Sequence, residues 1–197
     1  MRSTFAGRSV GQMEVDQLPR YRDVDVRAFP VLGWFSDNCR ALREAYDMRQ
    51  AQFAELCGVT QAYYSSIECL KANPKIEIVG MISAHTGMSV ADLVSQDPHI
   101  DRLRLSPRPY VKGAVTRVFA ENCTVLRASM DLSQEKFSTL CHITQAYYST
   151  IENLKATPTL EIVSTIALHT KTTPALLIGG RVEGSALSNT YGVSEKA

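Results

Sequence analysis

Thr60-Gln61-Ala62-Tyr63-Tyr64-Ser65-Ser66-Ile67-Glu68 returns 84 residues later as Thr144-Gln145-Ala146-Tyr147-Tyr148-Ser149-Thr150-Ile151-Glu152. The echo extends outward on both sides. Phe35, Asn38, Cys39, Leu42, Arg43 and Asp47 recur as Phe119, Asn122, Cys123, Leu126, Arg127 and Asp131. Downstream, Leu70, Lys71, Pro74, Glu77 and His85 recur as Leu154, Lys155, Pro158, Glu161 and His169. A period held over this length means one structural unit built twice. The 197 residues therefore read as two small domains rather than one large one. Each unit lies near the lower size limit for independent folding.

Composition narrows the function classes only a little. A net charge of +1 gives no general basic excess, which argues mildly against a nucleic-acid binder. Charge is uneven, however: Arg2, Arg8, Arg20, Arg22 and Arg27 crowd the first stretch, and Arg102, Arg104, Arg108, Lys112 and Arg117 the middle. A phosphate backbone senses local charge rather than the total. The 5 cysteines have no metal-ligand spacing, and four of them, Cys39, Cys57, Cys123 and Cys141, fall within apolar helical patterns as small hydrophobes. With no apolar run of signal-peptide or membrane-spanning length, a reducing cytoplasm is the expected location.

Apolar spacing at Phe35, Cys39, Leu42 and Tyr46 predicts a first helix. A second runs from Gln50 to Cys57 and stops at Gly58. Thr60 caps a third over Gln61–Cys69, Asn73-Pro74 breaks the chain, and a fourth covers Lys75–Thr86. Ser89 caps a last short helix through Leu93. The second unit repeats this order, with Ser133 as the cap of its second helix. The expected organisation is a flexible arm over 1–30, a helical domain over 31–94, and an ordered non-helical linker over 95–111 holding Pro98, Pro107 and Pro109. A second domain follows over 112–178 and a disordered tail over 179–197. The fold class is all-α: two tandem five-helix bundles.

A short helix, a tight turn and a second helix form a helix-turn-helix, whose second helix enters the DNA major groove. The first unit carries Leu42-Arg43, Gln50, Phe53-Ala54, Gly58-Val59-Thr60, Ile67-Glu68 and Pro74. The second carries Leu126-Arg127, Ser133-Gln134, Phe137-Ser138, Ile143-Thr144, Ile151-Glu152 and Pro158 at the same spacings. On these residues both units resemble the Cro and lambda-repressor-like (XRE) helix-turn-helix domains. The resemblance implies ion pairs Arg43–Glu68 and Arg127–Glu152 that fix the third helix against the first. It also implies that Gln61 and Gln145 read a base edge, while Gln50 and Gln134 brace them or bind phosphate. A Gln amide can pair bidentately with adenine, and Ala and Thr methyls can meet thymine methyls. The outward face is then Gln61, Ala62, Tyr63, Ser65 and Ser66, matched by Gln145, Ala146, Tyr147, Ser149 and Thr150. Thr60, Thr144 and the two tyrosines are candidate phosphate contacts, with Lys71, Lys155 and Asn153 alongside.

Some positions depart from the family pattern. Leu70 and Leu154 stand where a glycine is usual, so the third helix is expected to end about a turn later with leucine packed inward. His142 replaces the turn glycine, and Arg49 replaces a capping serine. His85 and His169, near helix ends, read as favourable partners of the helix dipole and not as ligands.

The expected function is a sequence-specific double-stranded-DNA-binding transcriptional regulator, a repressor that occludes a promoter. Two near-identical heads on one chain predict a pseudo-dimer on a pseudo-palindromic operator, or a homodimer of such chains presenting four heads. A contact to RNA polymerase would fall on Glu55 or Glu135. The rival reading is a protein-binding antitoxin or antiactivator that masks a partner. Nothing in the sequence forms a nucleophile–base pair, a metal site or a phosphate loop, so no enzyme activity and no cofactor are expected.

Overall fold

The computed structural model describes residues 30–98 and 107–181. Most of the expected arm, the middle of the linker and most of the expected tail lie outside the described residues. The first unit contains α1 (Pro30–Ala45), α2 (Gln50–Leu56), α3 (Gln61–Glu68), α4 (Ile76–Thr86) and α5 (Val90–Leu93). The second contains α6 (Ala114–Ser129), α7 (Gln134–Leu140), α8 (Gln145–Glu152), α9 (Leu160–His169) and α10 (Pro174–Ile178). The architecture is all-α, with two helix-turn-helix bundles in tandem.

Local chemistry sets the helix starts. The Thr60 and Thr144 hydroxyls accept the backbone N–H of Tyr63 and Tyr147, each at 3.2 Å, and so cap α3 and α8. Ser133 does the same for α7 at Lys136. Arg49 cannot; instead its own backbone N–H donates to the side-chain Oε1 of Gln52 at 2.9 Å, one half of a capping box. Each bundle closes around a tilted ring pair, Phe53–Tyr64 at 5.1 Å and Phe137–Tyr148 at 4.9 Å between centroids. Ala54 and Ser138 are buried where the two motif helices cross. The side-chain amides of Asn38 and Asn122 reach the last carbonyls of α5 and α10, for example Leu93 at 3.1 Å and Leu177 at 3.0 Å. Their recurrence in the sequence is therefore structural: each satisfies the end of the closing helix.

Helix stops are equally repetitive. Four helix stops per unit take a left-handed backbone: Asp47, Gly58, Leu70 and Gly87, then Asp131, His142, Leu154 and Lys171. Most follow the Schellman pattern; at α3, Leu70 N–H donates to the Ile67 carbonyl and Lys71 N–H to that of Ser66, at 3.0 and 2.8 Å. The expectation of a longer third helix with inward leucine is thus corrected. α3 ends at Glu68, Leu70 turns the chain with φ 55°, and its side chain is exposed. Leu154 behaves identically. Where the first unit uses Gly87, the second forces exposed Lys171 to φ 54°. A left-handed non-glycine residue is strained by about 1 kcal/mol or more. Lys171→Gly is therefore expected to stabilise the chain by about 1 kcal/mol, seen as a higher thermal midpoint.

The two units pack into one body across a seam with two-fold character. Ile76 N–H donates to the Pro158 carbonyl and Leu160 N–H to the Pro74 carbonyl, both at 2.9 Å, an antiparallel bridge of Lys75 with Thr159. Residues 75 and 159 are repeat equivalents, so the bridge lies on the axis that exchanges the units. The helix contacts obey the same exchange: α4 packs on α6 as α9 packs on α1, and α5 meets its own equivalent, α10. Self-complementary pairing of this kind is the geometry of an isologous dimer, here within one chain. Side chains break the symmetry. Glu77 accepts the Tyr110 hydroxyl, the Gly113 and Thr116 N–H groups and the Thr116 hydroxyl, whereas Glu161 accepts the Asn73 amide at 2.6 Å.

Gly80 makes the close approach of α4 to α6 possible. A Cβ there would sit 2.6 Å from Val115 Cγ2, on a β-branched side chain with little freedom to move. Alanine in a helix interior ordinarily stabilises by about 1 kcal/mol relative to glycine. Gly80→Ala should instead destabilise by about 1–3 kcal/mol through overpacking. A lower urea midpoint with an unchanged slope would report it.

Candidate nucleic-acid interface

Each recognition helix is held by a carboxylate at its C-terminal end. Glu68 accepts Arg43 Nε at 2.7 Å and Gln50 Nε2 at 2.6 Å. Arg43 also donates to the Met48 carbonyl at 3.2 Å, and Arg40 to the Glu68 carbonyl at 2.8 Å. α1, α2 and α3 therefore converge on one ion pair, whose side chains are 17% and 5% exposed. In the second unit Glu152 accepts Arg127 Nε at 2.8 Å, the Tyr148 hydroxyl at 2.8 Å, and Gln134 Nε2. Gln50 and Gln134, expected to brace Gln61 and Gln145 or to bind phosphate, make no bond to those glutamines and each give an amide N–H to this carboxylate. A buried anion is the stronger acceptor, and it binds them inside the scaffold.

Burial pushes the Glu68 and Glu152 carboxyls up, but the donors around them outweigh it and hold both below the ordinary carboxylate range. For Glu68 the donors are Arg43, Gln50 and Tyr64, and for Glu152 they are Arg127, Tyr148 and Gln134. With the folded value depressed, this stabilisation is fully present above the unfolded carboxylate value and is lost as pH falls through the folded one. Stability is therefore expected to be flat near neutrality and to drop below about pH 4. In a Glu68→Gln/Glu152→Gln chain that acid limb should be shallower, as urea midpoints taken from pH 7 to pH 3 would record.

The outward face presents the rest of the set. Gln61, Ala62 and Lys71 are exposed, as are Gln145, Ala146 and Lys155. Ser65 and Ser149 are half-buried beside them. Three kinds of residue are less available than expected. Ser66 and Thr150 turn their hydroxyls back onto the carbonyls of Tyr63 and Tyr147 at 2.6 and 2.7 Å. Asn153 folds onto the Ser149 carbonyl at 2.7 Å. Tyr63 and Tyr147 are half-buried against the core, and that burial raises both phenols. The same burial pattern along both helices means that the two faces match in shape as well as sequence.

No ion-holding cluster of His, Cys, Asp and Glu occurs among the described residues. His142 and His169 pack with tilted rings 4.4 Å apart between centroids, where burial and the neighbouring imidazole lower His169. No helix among the described residues is long and apolar enough to cross a membrane. Cys39, Cys57, Cys123 and Cys141 are buried free thiols, while Cys69 is exposed at the end of α3.

Comparison with known families agrees with this geometry. The helix-turn-helix family model matches twice, at residues 40–93 and 126–177. No curated protein and no solved structure matches the chain. The two matches together cover more than half of the sequence, each containing one recognition helix with its Arg–Glu lock. The chain belongs to the XRE, lambda-repressor-like helix-turn-helix family of DNA-binding regulators, and carries two tandem copies of its domain.

Proposed function

We propose that the protein is a transcriptional repressor that reads a pseudo-palindromic operator with the two heads of one chain. The observation that carries this reading is the seam. Repeat-equivalent residues, Lys75 and Thr159, meet at its centre, as subunits meet in a two-fold dimer. Helix-turn-helix dimers place their reading helices in successive major grooves, about 34 Å apart. On this reading the intrachain seam stands in for a dimer interface without an assembly step, and tethering of this kind raises avidity by roughly 10² to 10⁴. Because Gln61, Ala62, Tyr63 and Ser65 equal Gln145, Ala146, Tyr147 and Ser149, the two half-sites are the same DNA word. Repression by occlusion needs only this binding.

The test is selection from randomised duplex DNA, followed by anisotropy on the recovered site across a salt series. The repressor reading expects an inverted repeat and an affinity that falls steeply with salt. Recovery of no common sequence would favour the protein-masking alternative.

A further inference from the structure

Of the four left-handed helix stops in each unit, one is leucine in both. Leu70 has φ 55° and Leu154 φ 58°. This backbone crowds the Cβ of any L residue, and leucine has no polar atom with which to compensate. Burial returns little: the two residues are 60% and 48% exposed, and neither is among the hydrophobics packed against the core. The other large apolar residues exposed among those described, Val111 and Leu168, have no twin, since Arg27 and Ala84 stand at their equivalents. A feature that lowers stability through both strain and exposure is thus retained in both halves only here.

Its place in the fold indicates what it meets. Each leucine follows the end of a recognition helix and precedes an exposed lysine, Lys71 or Lys155. A few residues later the chain reaches the Lys75–Thr159 bridge on the exchange axis. Each leucine thus stands five residues before a member of that bridge, the two are repeat equivalents exchanged by its axis, and a lysine follows each in sequence.

We propose that Leu70 and Leu154 are apolar DNA contacts, packing on deoxyribose faces at the inner edge of each half-site, next to the phosphates met by Lys71 and Lys155. The inference rests on the DNA-reading function proposed above. DNA is favoured over a protein partner because the leucines are repeat equivalents that follow the ends of the two reading helices, each next to an exposed lysine, which suits a two-fold polyanion. Apolar contact with sugar expels water but releases no counterions. It adds affinity without adding to the salt dependence, and it does so whatever base the sugar carries.

The experiment is operator anisotropy across a salt series for the full chain and for three double variants. Leu70→Gly/Leu154→Gly should melt at a higher temperature yet bind about tenfold more weakly, with an unchanged slope of log affinity against log salt. Leu70→Met/Leu154→Met should retain wild-type affinity. Lys71→Ala/Lys155→Ala should lose about two units of that slope. Equal affinity of the glycine variant, or a loss accompanied by a shallower slope, would overturn the contact while leaving the operator reading intact. A wild-type chain that binds no selected DNA would overturn both.

Discussion

Gln61→Ala/Gln145→Ala is expected to weaken specific operator binding by about 30-fold or more while leaving the fold unchanged. Both glutamines open their helices, are exposed, and make no side-chain hydrogen bond among those found in the structure. Removing them disturbs no packing, so stability should move by less than about 0.5 kcal/mol. An amide paired bidentately with adenine is worth about 1–3 kcal/mol of discrimination. Two such losses at distant sites add, to about 2–6 kcal/mol, or roughly 30-fold to 10⁴-fold in affinity. Each single change should weaken one half-site only, and the tether should preserve partial occupancy of the whole site. The salt slope should stay the same in all three variants, since no phosphate contact is touched. If the double variant bound the selected site as well as wild type, α3 and α8 would not be the reading helices.

Glu68→Ala should be among the most damaging single substitutions in the chain. It leaves the Arg43 guanidinium, 17% exposed, with only the Met48 carbonyl at 3.2 Å and the exposed Glu44 carboxylate at 3.7 Å, and the Gln50 amide N–H without its acceptor. Removing one partner of a buried pair costs about 3–5 kcal/mol, because the remaining charge is stranded. That is a large fraction of the 5–15 kcal/mol that stabilises an ordinary domain. Arg43→Met/Glu68→Met should recover much of the loss, since no charge is then left unpaired. The measurement is urea unfolding of the three chains. Equal stability of Glu68→Ala and wild type would mean that the ion pair does not lock the recognition helix.

The fold was largely legible in side-chain chemistry that acts locally. Thr60, Thr144 and Ser133 cap the helices where their hydroxyls predict, and Pro74 and Pro158 interrupt the chain before α4 and α9. Leu70 was misread because helix propensity favours continuation at leucine. The Schellman bonds of Leu70 and Lys71, together with the chain's return to the seam at Pro74, override that preference. At the site, the exposed placement of Gln61 and Gln145 at the start of α3 and α8 was legible in the helical repeat, but the partner of Gln50 was not. Its choice of Glu68 depends on how α2 is tilted against α3, a packing outcome with no local signature. The seam was hidden for a different reason. A repeat states that two units exist, while the meeting of Lys75 with Thr159, and of Gly80 with Val115, depends on how their surfaces fit.

The two-fold seam makes one strict demand on stoichiometry. Mass measurement of the complex between the intact chain and a duplex carrying the selected inverted repeat tests it directly. The account predicts one chain per duplex, with both half-sites protected at once and both lost together when either is scrambled. Two chains per duplex, each protecting one half-site through a single head, would contradict it.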